Sequence, residues 1–137
     1  MRIAACDRSV AAPVDIVWGL LTSADGLNRW MSVEAEVDLR VGGVIRWRHE
    51  NGHTVSGEIR EIVPQRRLVF TYGWDDGWLP VQPGSTTVTI ELEARGGTTA
   101  VRVRHAGLTD EMAEQHEHGW GIFIGKLVDR AELEVAP

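Results

Sequence analysis

The feature that most constrains this chain is a change of period. Between Val33 and His105 apolar and polar residues alternate in six short segments, 33–39, 44–50, 54–63, 67–72, 86–95 and 98–105; beyond Thr109 the spacing becomes helical. Alternation sends successive side chains to opposite faces, so each segment predicts a strand with one buried face. The breaks at Gly42-Gly43, Asn51-Gly52 and Gly96-Gly97 supply residues that accept positive φ, as tight hairpins require, so neighbouring strands are expected to be antiparallel. The helical run, capped by Thr109 or Asp110 and ending near Glu134, carries Met112, His116, Trp120, Phe123, Ile124, Leu127 and Ala131 on one face.

The segment before Val33 adds a strand and two short helices. Residues 2–10 read as a strand, and Pro13 suits a first helical position, where its missing N–H costs nothing. Val14, Val17, Trp18 and Leu21 then form an apolar stripe, with Asp15 favourably placed in the first turn. Ser23-Ala24-Asp25-Gly26 interrupts the pattern, and 27–31 is expected as a second short helix capped by Ser23 or Asp25. The order β-α-α-β6-α describes an α+β chain of the helix-grip kind, with a curved antiparallel sheet around a long C-terminal helix. At 137 residues, with no repeat, linker or low-complexity segment, residues 1–137 are expected to form one domain.

Composition removes several partners. Twenty acidic against fourteen basic side chains give a net charge of −6, without segregation into a basic face, so nucleic acid is not expected. No stretch approaches the 18 or so apolar residues of a membrane span, and no signal peptide follows Met1. The lone Cys6 forms no internal disulfide and suits a buried strand position in a reducing compartment, so a cytoplasmic location is expected.

A sheet curved around a helix leaves a gap wherever inward side chains fail to interdigitate. Ile45, Trp47 and His49 share one face of their segment, as do Leu68, Phe70 and Tyr72, then Val88, Ile90 and Leu92, then Val101, Val103 and His105. These are assigned to the concave side, because otherwise Arg46, Arg48, Arg102 and Arg104 would be buried charges. The apolar loop 73–85 brings Trp74 and Trp78 toward Trp47 and Trp120, while Trp18 and Trp30 are assigned to packing between the short helices and the sheet. The expected lining of a ligand cavity is therefore Trp47, His49, Phe70, Tyr72, Trp74, Trp78, His105, His116, Trp120, Phe123, Ile124 and Leu127. A Trp120 ring that borders open space on one face implies a cost below about 3 kcal/mol for Trp120→Ala.

No metal site is expected. His116 and His118 lie two apart on a helix and face apart, and a two-residue turn at Asn51-Gly52 would pair His53 with Glu50, leaving His49 on the other face of the hairpin. Nucleophile elbow, phosphate loop and dinucleotide fingerprint are absent, so neither a catalytic residue nor a cofactor is assigned. Gly119, Gly121 and Gly125 cost the last helix about 2–3 kcal/mol relative to alanine, which implies either close approach to a neighbour or local mobility that admits a ligand.

Particular residues carry a resemblance over nearly the whole chain. They are Ala12-Pro13, Val17-Trp18 and Leu21-Thr22, Arg29-Trp30-Met31, Asp38-Leu39-Arg40-Val41-Gly42-Gly43, Gly57-Glu58-Ile59 with Glu61-Ile62, Arg67-Leu68-Val69-Phe70-Thr71 with Trp74, His105-Ala106-Gly107-Leu108, and Gly119-Trp120. In this order they resemble the SRPBCC or START-like superfamily, specifically the Hsp90 ATPase activator homologue (AHSA1-like) type. The resemblance implies the helix-grip fold, START-like or Bet v 1-like, and admits three functions. The first is a binding protein for a hydrophobic or aromatic small molecule, which the apolar lining without a spaced acid and base favours. The second is a cyclase or dehydratase using His116 or His105 with Tyr72 as proton carriers. The third is a chaperone partner; in Hsp90 activators this kind of domain is one part of a longer chain, so stimulation of an Hsp90-type ATPase is not expected here. Homodimerisation stays open.

Overall fold

The alternating segments pair into one seven-stranded antiparallel sheet in a computed structural model, which describes residues 2–136. The strands are β1 (Arg2–Val10), β2 (Glu34–Val37), β3 (Val44–Arg48), β4 (Thr54–Val63), β5 (Arg67–Trp74), β6 (Thr86–Arg95) and β7 (Thr98–Leu108), in the order β1-β7-β6-β5-β4-β3-β2. The helices are α1 (Val14–Thr22), α2 (Ala24–Leu27) and α3 (Asp110–Val135). This is the helix-grip architecture that the change of period predicts. Met1 and Pro137, the ends of the expected domain, lie outside the described residues.

Three local expectations are corrected. Pro13 precedes α1 in an extended conformation, with φ −69° and ψ 157°, instead of occupying its first helical turn. The second short helix starts three residues earlier than expected, because Ser23 Oγ accepts from the Gly26 N–H at 2.9 Å and fixes the cap there. The hairpin between β3 and β4 closes through three residues, 50–52: the His49 N–H donates to the His53 carbonyl at 2.9 Å, and Gly52 takes φ +90°. His53 is thus opposed by His49, not by Glu50.

The inward faces match the period-two assignment. Ile45, Trp47, Phe70, Val88, Ile90, Val101, Val103 and His105 are all buried, whereas Arg46 and Arg102 are exposed. The outward arginines find carboxylates: Arg46 bonds Asp75 at 3.2 Å, and Arg104 bonds Asp7 at 2.6 Å. A register shift in β4 between Ile59 and Glu61 bends the sheet around the helix.

Helix α3 is capped by Thr109, whose Oγ accepts from the Met112 N–H at 3.2 Å, and lies along β1. There two of its carboxylates take backbone N–H groups: Glu117 accepts from Ala5 in the edge strand at 2.9 Å and Glu132 from Ala11, just past its end, at 2.8 Å. Close approach does not explain the α3 glycines. A Cβ at Gly119 or Gly125 would meet nothing within 4 Å, and one at Gly121 would meet only the Arg8 guanidinium, at 3.5 Å. Among the described residues no helix is long and apolar enough to cross a membrane.

Candidate ligand cavity

Where the ends of β3 and β5, the segment 28–33 and the first half of α3 face one another, a cavity of about 590 Å³ remains. That volume is within the range of small-molecule sites. Of the twelve residues expected to line it, Trp47, His49, Tyr72, Trp74, Trp78, His116, Trp120 and Phe123 do so. Phe70, His105, Ile124 and Leu127 do not; they are fully packed beneath or beside it. The sequence reading left out Trp30, which lines the cavity while its indole N–H donates to the Leu20 carbonyl at 2.8 Å. It also left out Gly119 and Lys126, which lie one turn apart from residues of the apolar stripe. For Lys126 a signal was present, since it is the chain's one lysine.

Tyr72 is the centre of the aromatic cluster. Its ring lies 4.3 Å from that of His105 and 5.9 Å from Trp47, with His116, Trp74 and Trp120 at 5.6, 6.0 and 6.1 Å, several of them edge to face. Trp78 closes one side: exposed itself, it meets Trp74 edge-on at 5.0 Å and stacks on His53 at 4.2 Å and 5°. Asp76 holds that stack in place, accepting from the Trp78 N–H at 3.0 Å while His53 Nδ1 lies 2.5 Å from its other oxygen.

Each of three buried histidines accepts from an indole, and this fixes its tautomer. His116 Nδ1 lies 2.8 Å from the Met112 carbonyl, which only accepts, so Nδ1 carries the hydrogen and Nε2 accepts from Trp74 Nε1–H at 3.2 Å. His105 Nδ1 accepts from Trp120 Nε1–H at 3.1 Å. Its Nε2–H donates to Thr86 Oγ1 at 2.8 Å, whose own hydrogen goes to the Tyr72 carbonyl at 2.7 Å. His49 Nε2 accepts from Trp47 Nε1–H at 3.0 Å, which leaves the hydrogen on Nδ1.

Burial disfavours charge on all three rings. It lowers His105 to about 3, helped by the charge of His116, and His49 to about 4, helped by Lys126 and His53; it lowers His116 as well. Burial alone pushes the Tyr72 phenol well above its usual range, so at neutral pH this group is a hydrogen-bond donor and not a base.

Two buried polar groups of the lining are uncommitted. Neither the Tyr72 hydroxyl nor His49 Nδ1 has a hydrogen-bond partner among the described residues, yet no side-chain N or O shut off from solvent lacks one. Both groups therefore open on the cavity, and both are donors. No group of three or more His, Cys, Asp or Glu suited to a metal ion occurs among the described residues.

Comparison with known proteins places this geometry. Residues 11–132 match the family described as activator of Hsp90 ATPase homolog 1-like protein. The chain belongs to that family. Comparison with curated proteins returns no match. Among solved structures, this AHSA1-like chain is similar to DynU16, a protein of the dynemicin biosynthetic locus, with 25% identity and a TM-score of 0.81 over 97% of this chain and 47% of that one. It thus spans about half the length of DynU16. CalU16 from Micromonospora echinospora has 26% identity and a TM-score of 0.77, over 99% of this chain and 78% of its own. The Aha1 dimer from Colwellia psychrerythraea, at 22% identity and a TM-score of 0.81, is matched over 99% of this chain and 100% of that one. That last match shows the fold.

Proposed function

We propose that this AHSA1-like chain is a binding protein that encloses a hydrophobic or aromatic small molecule between its sheet and C-terminal helix. The observation that carries this reading is the state of the polar groups around the cavity. Tyr72 O–H and His49 Nδ1–H are free to orient a guest, while His105 and His116 each spend both ring nitrogens on fixed partners. Such histidines serve acid–base chemistry poorly: burial lowers both below the ordinary histidine value, so at neutral pH they are unprotonated, and His105, lowered to about 3, is a weak base. This weighs against the cyclase or dehydratase reading.

Burial of a methylene contributes about 0.8 kcal/mol and association costs at least about 4 kcal/mol, so a ten-carbon guest gains only modest affinity from burial alone. The two donors supply the remaining attraction. The likeness to DynU16, which comes from a biosynthetic locus, suits a small-molecule partner. A chaperone role has only the family name behind it, and stoichiometric addition of the chain is expected to leave an Hsp90-type ATPase unstimulated.

Mass spectrometry of the gently purified protein, together with a melting-temperature screen of aromatic and acyl compounds, tests the binding reading. A co-purified guest or a saturable rise in melting temperature is expected; a broad panel without effect overturns it.

A further inference from the structure

Around the cavity three side chains carry full charge, and only one of them is a free cation. Arg29 is neutralised twice, by Asp25 and by Glu134, each at 3.0 Å. Glu50, the one carboxylate of the lining, sits in the hairpin loop between β3 and β4. Lys126 is exposed at the rim, with Nζ 4.9 Å from the centroid of the Phe123 ring and no carboxylate within 4.0 Å among the described residues. An ammonium held over an aromatic face keeps its stem on the ring and its charge toward the opening.

Donors meet the guest at both ends of this space. Inside are Tyr72 O–H and His49 Nδ1–H, and at the rim is Lys126; the indole N–H groups of Trp30, Trp47, Trp74 and Trp120 are already given to acceptors of the protein. Such a cavity complements acceptors. The walls between are aromatic faces and edges, which favour a flat ring system over a flexible chain.

Building on the binding reading above, we propose that the guest is an aromatic acid, with an oxygen acceptor that meets Tyr72 or His49 inside and an anionic group that pairs with Lys126 at the rim. Selection for an anion by this chain has to be local. Its net charge of −6 repels anions at long range, so one rim lysine must outweigh that field at contact distance.

The test compares 6-hydroxy-2-naphthoic acid with its primary amide, which matches it in shape and lacks the charge, by calorimetric titration of the intact chain. The acid is expected to bind about threefold to fivefold more tightly, the scale of an exposed ion pair. Lys126→Met, which keeps an apolar stem on Phe123, should abolish that preference, and 0.5 M salt should shrink it in the parent chain. A preference that persists in Lys126→Met, or equal binding of acid and amide by the parent, overturns the inference and leaves the cavity reading standing. If neither compound binds while other aromatic compounds do, the aromatic-acid assignment fails; if nothing binds, the cavity reading fails and this inference with it.

Discussion

Trp120 is both wall and donor, and its two roles have different energetic consequences. The expectation from sequence, that a ring bordering open space is cheap to remove, omits the bond from its Nε1–H to His105 Nδ1 at 3.1 Å. His105 is fully buried, so a Trp120→Ala variant loses packing and also leaves an acceptor without a partner. We therefore expect Trp120→Ala to cost more than about 3 kcal/mol in urea unfolding, which revises the lower figure. Trp120→Phe separates the roles: it keeps most of the apolar ring and removes the donor, and should cost about 1–3 kcal/mol. A Phe variant as stable as the parent would mean that His105 finds another donor once the indole is gone.

At the scale of elements, α3 contains a direct test of what its glycines do. Since a Cβ at Gly125 meets nothing within 4 Å, Gly125→Ala is expected to raise stability by up to about 1 kcal/mol through helix propensity alone. A loss of stability in the same unfolding measurement would mean that the helix needs a backbone freedom there that alanine denies. The elements themselves were legible where period and turn chemistry agree: β1, β4 and β6 run over the residues that alternation picks out. They were less legible where a side chain decides the boundary. Ser23 draws α2 three residues forward, and the His49–His53 hairpin bond rests on a three-residue loop that the pair Asn51-Gly52 does not announce. The cavity was legible as a face but not as a volume. Phe70, Ile124 and Leu127 point inward, as their period says, and are covered by neighbours, because alternation gives direction and says nothing about depth. Trp30 escaped for the converse reason: it does pack against the short helices, through Leu20, yet its ring also borders the cavity.

For the whole molecule, three neutral histidines in one core tie stability to pH. Each has a folded-state pKa below the 6.5 of an ordinary histidine, so between pH 6.5 and about 4 the unfolded chain binds protons that the folded chain refuses. Stability is then full above pH 6.5 and falls as pH drops through that window, by up to about 1.4 kcal/mol per unit for each histidine. Asp7, Asp76 and Glu134, whose folded pKa values lie below those of free carboxylates, add their losses only below about pH 4.5. Urea midpoints should therefore fall from pH 7 to 6 to 5, before the carboxylates contribute; a flat profile would mean that the rings are hydrated and titrate freely.

The central claim is that the space between sheet and helix receives a hydrophobic guest, and the chain's six indole N–H signals report on it separately. Trp30, Trp47, Trp74, Trp78 and Trp120 line the cavity and Trp18 does not. In proton–nitrogen correlation spectra of the labelled protein, titration with 2-naphthol should move the five cavity signals saturably, through ring currents and altered hydrogen bonds, and leave Trp18 in place. If 2-naphthol and a panel of other aromatic and acyl compounds move none of the five, or move Trp18 as far as the rest, the cavity does not bind such molecules and the account is contradicted.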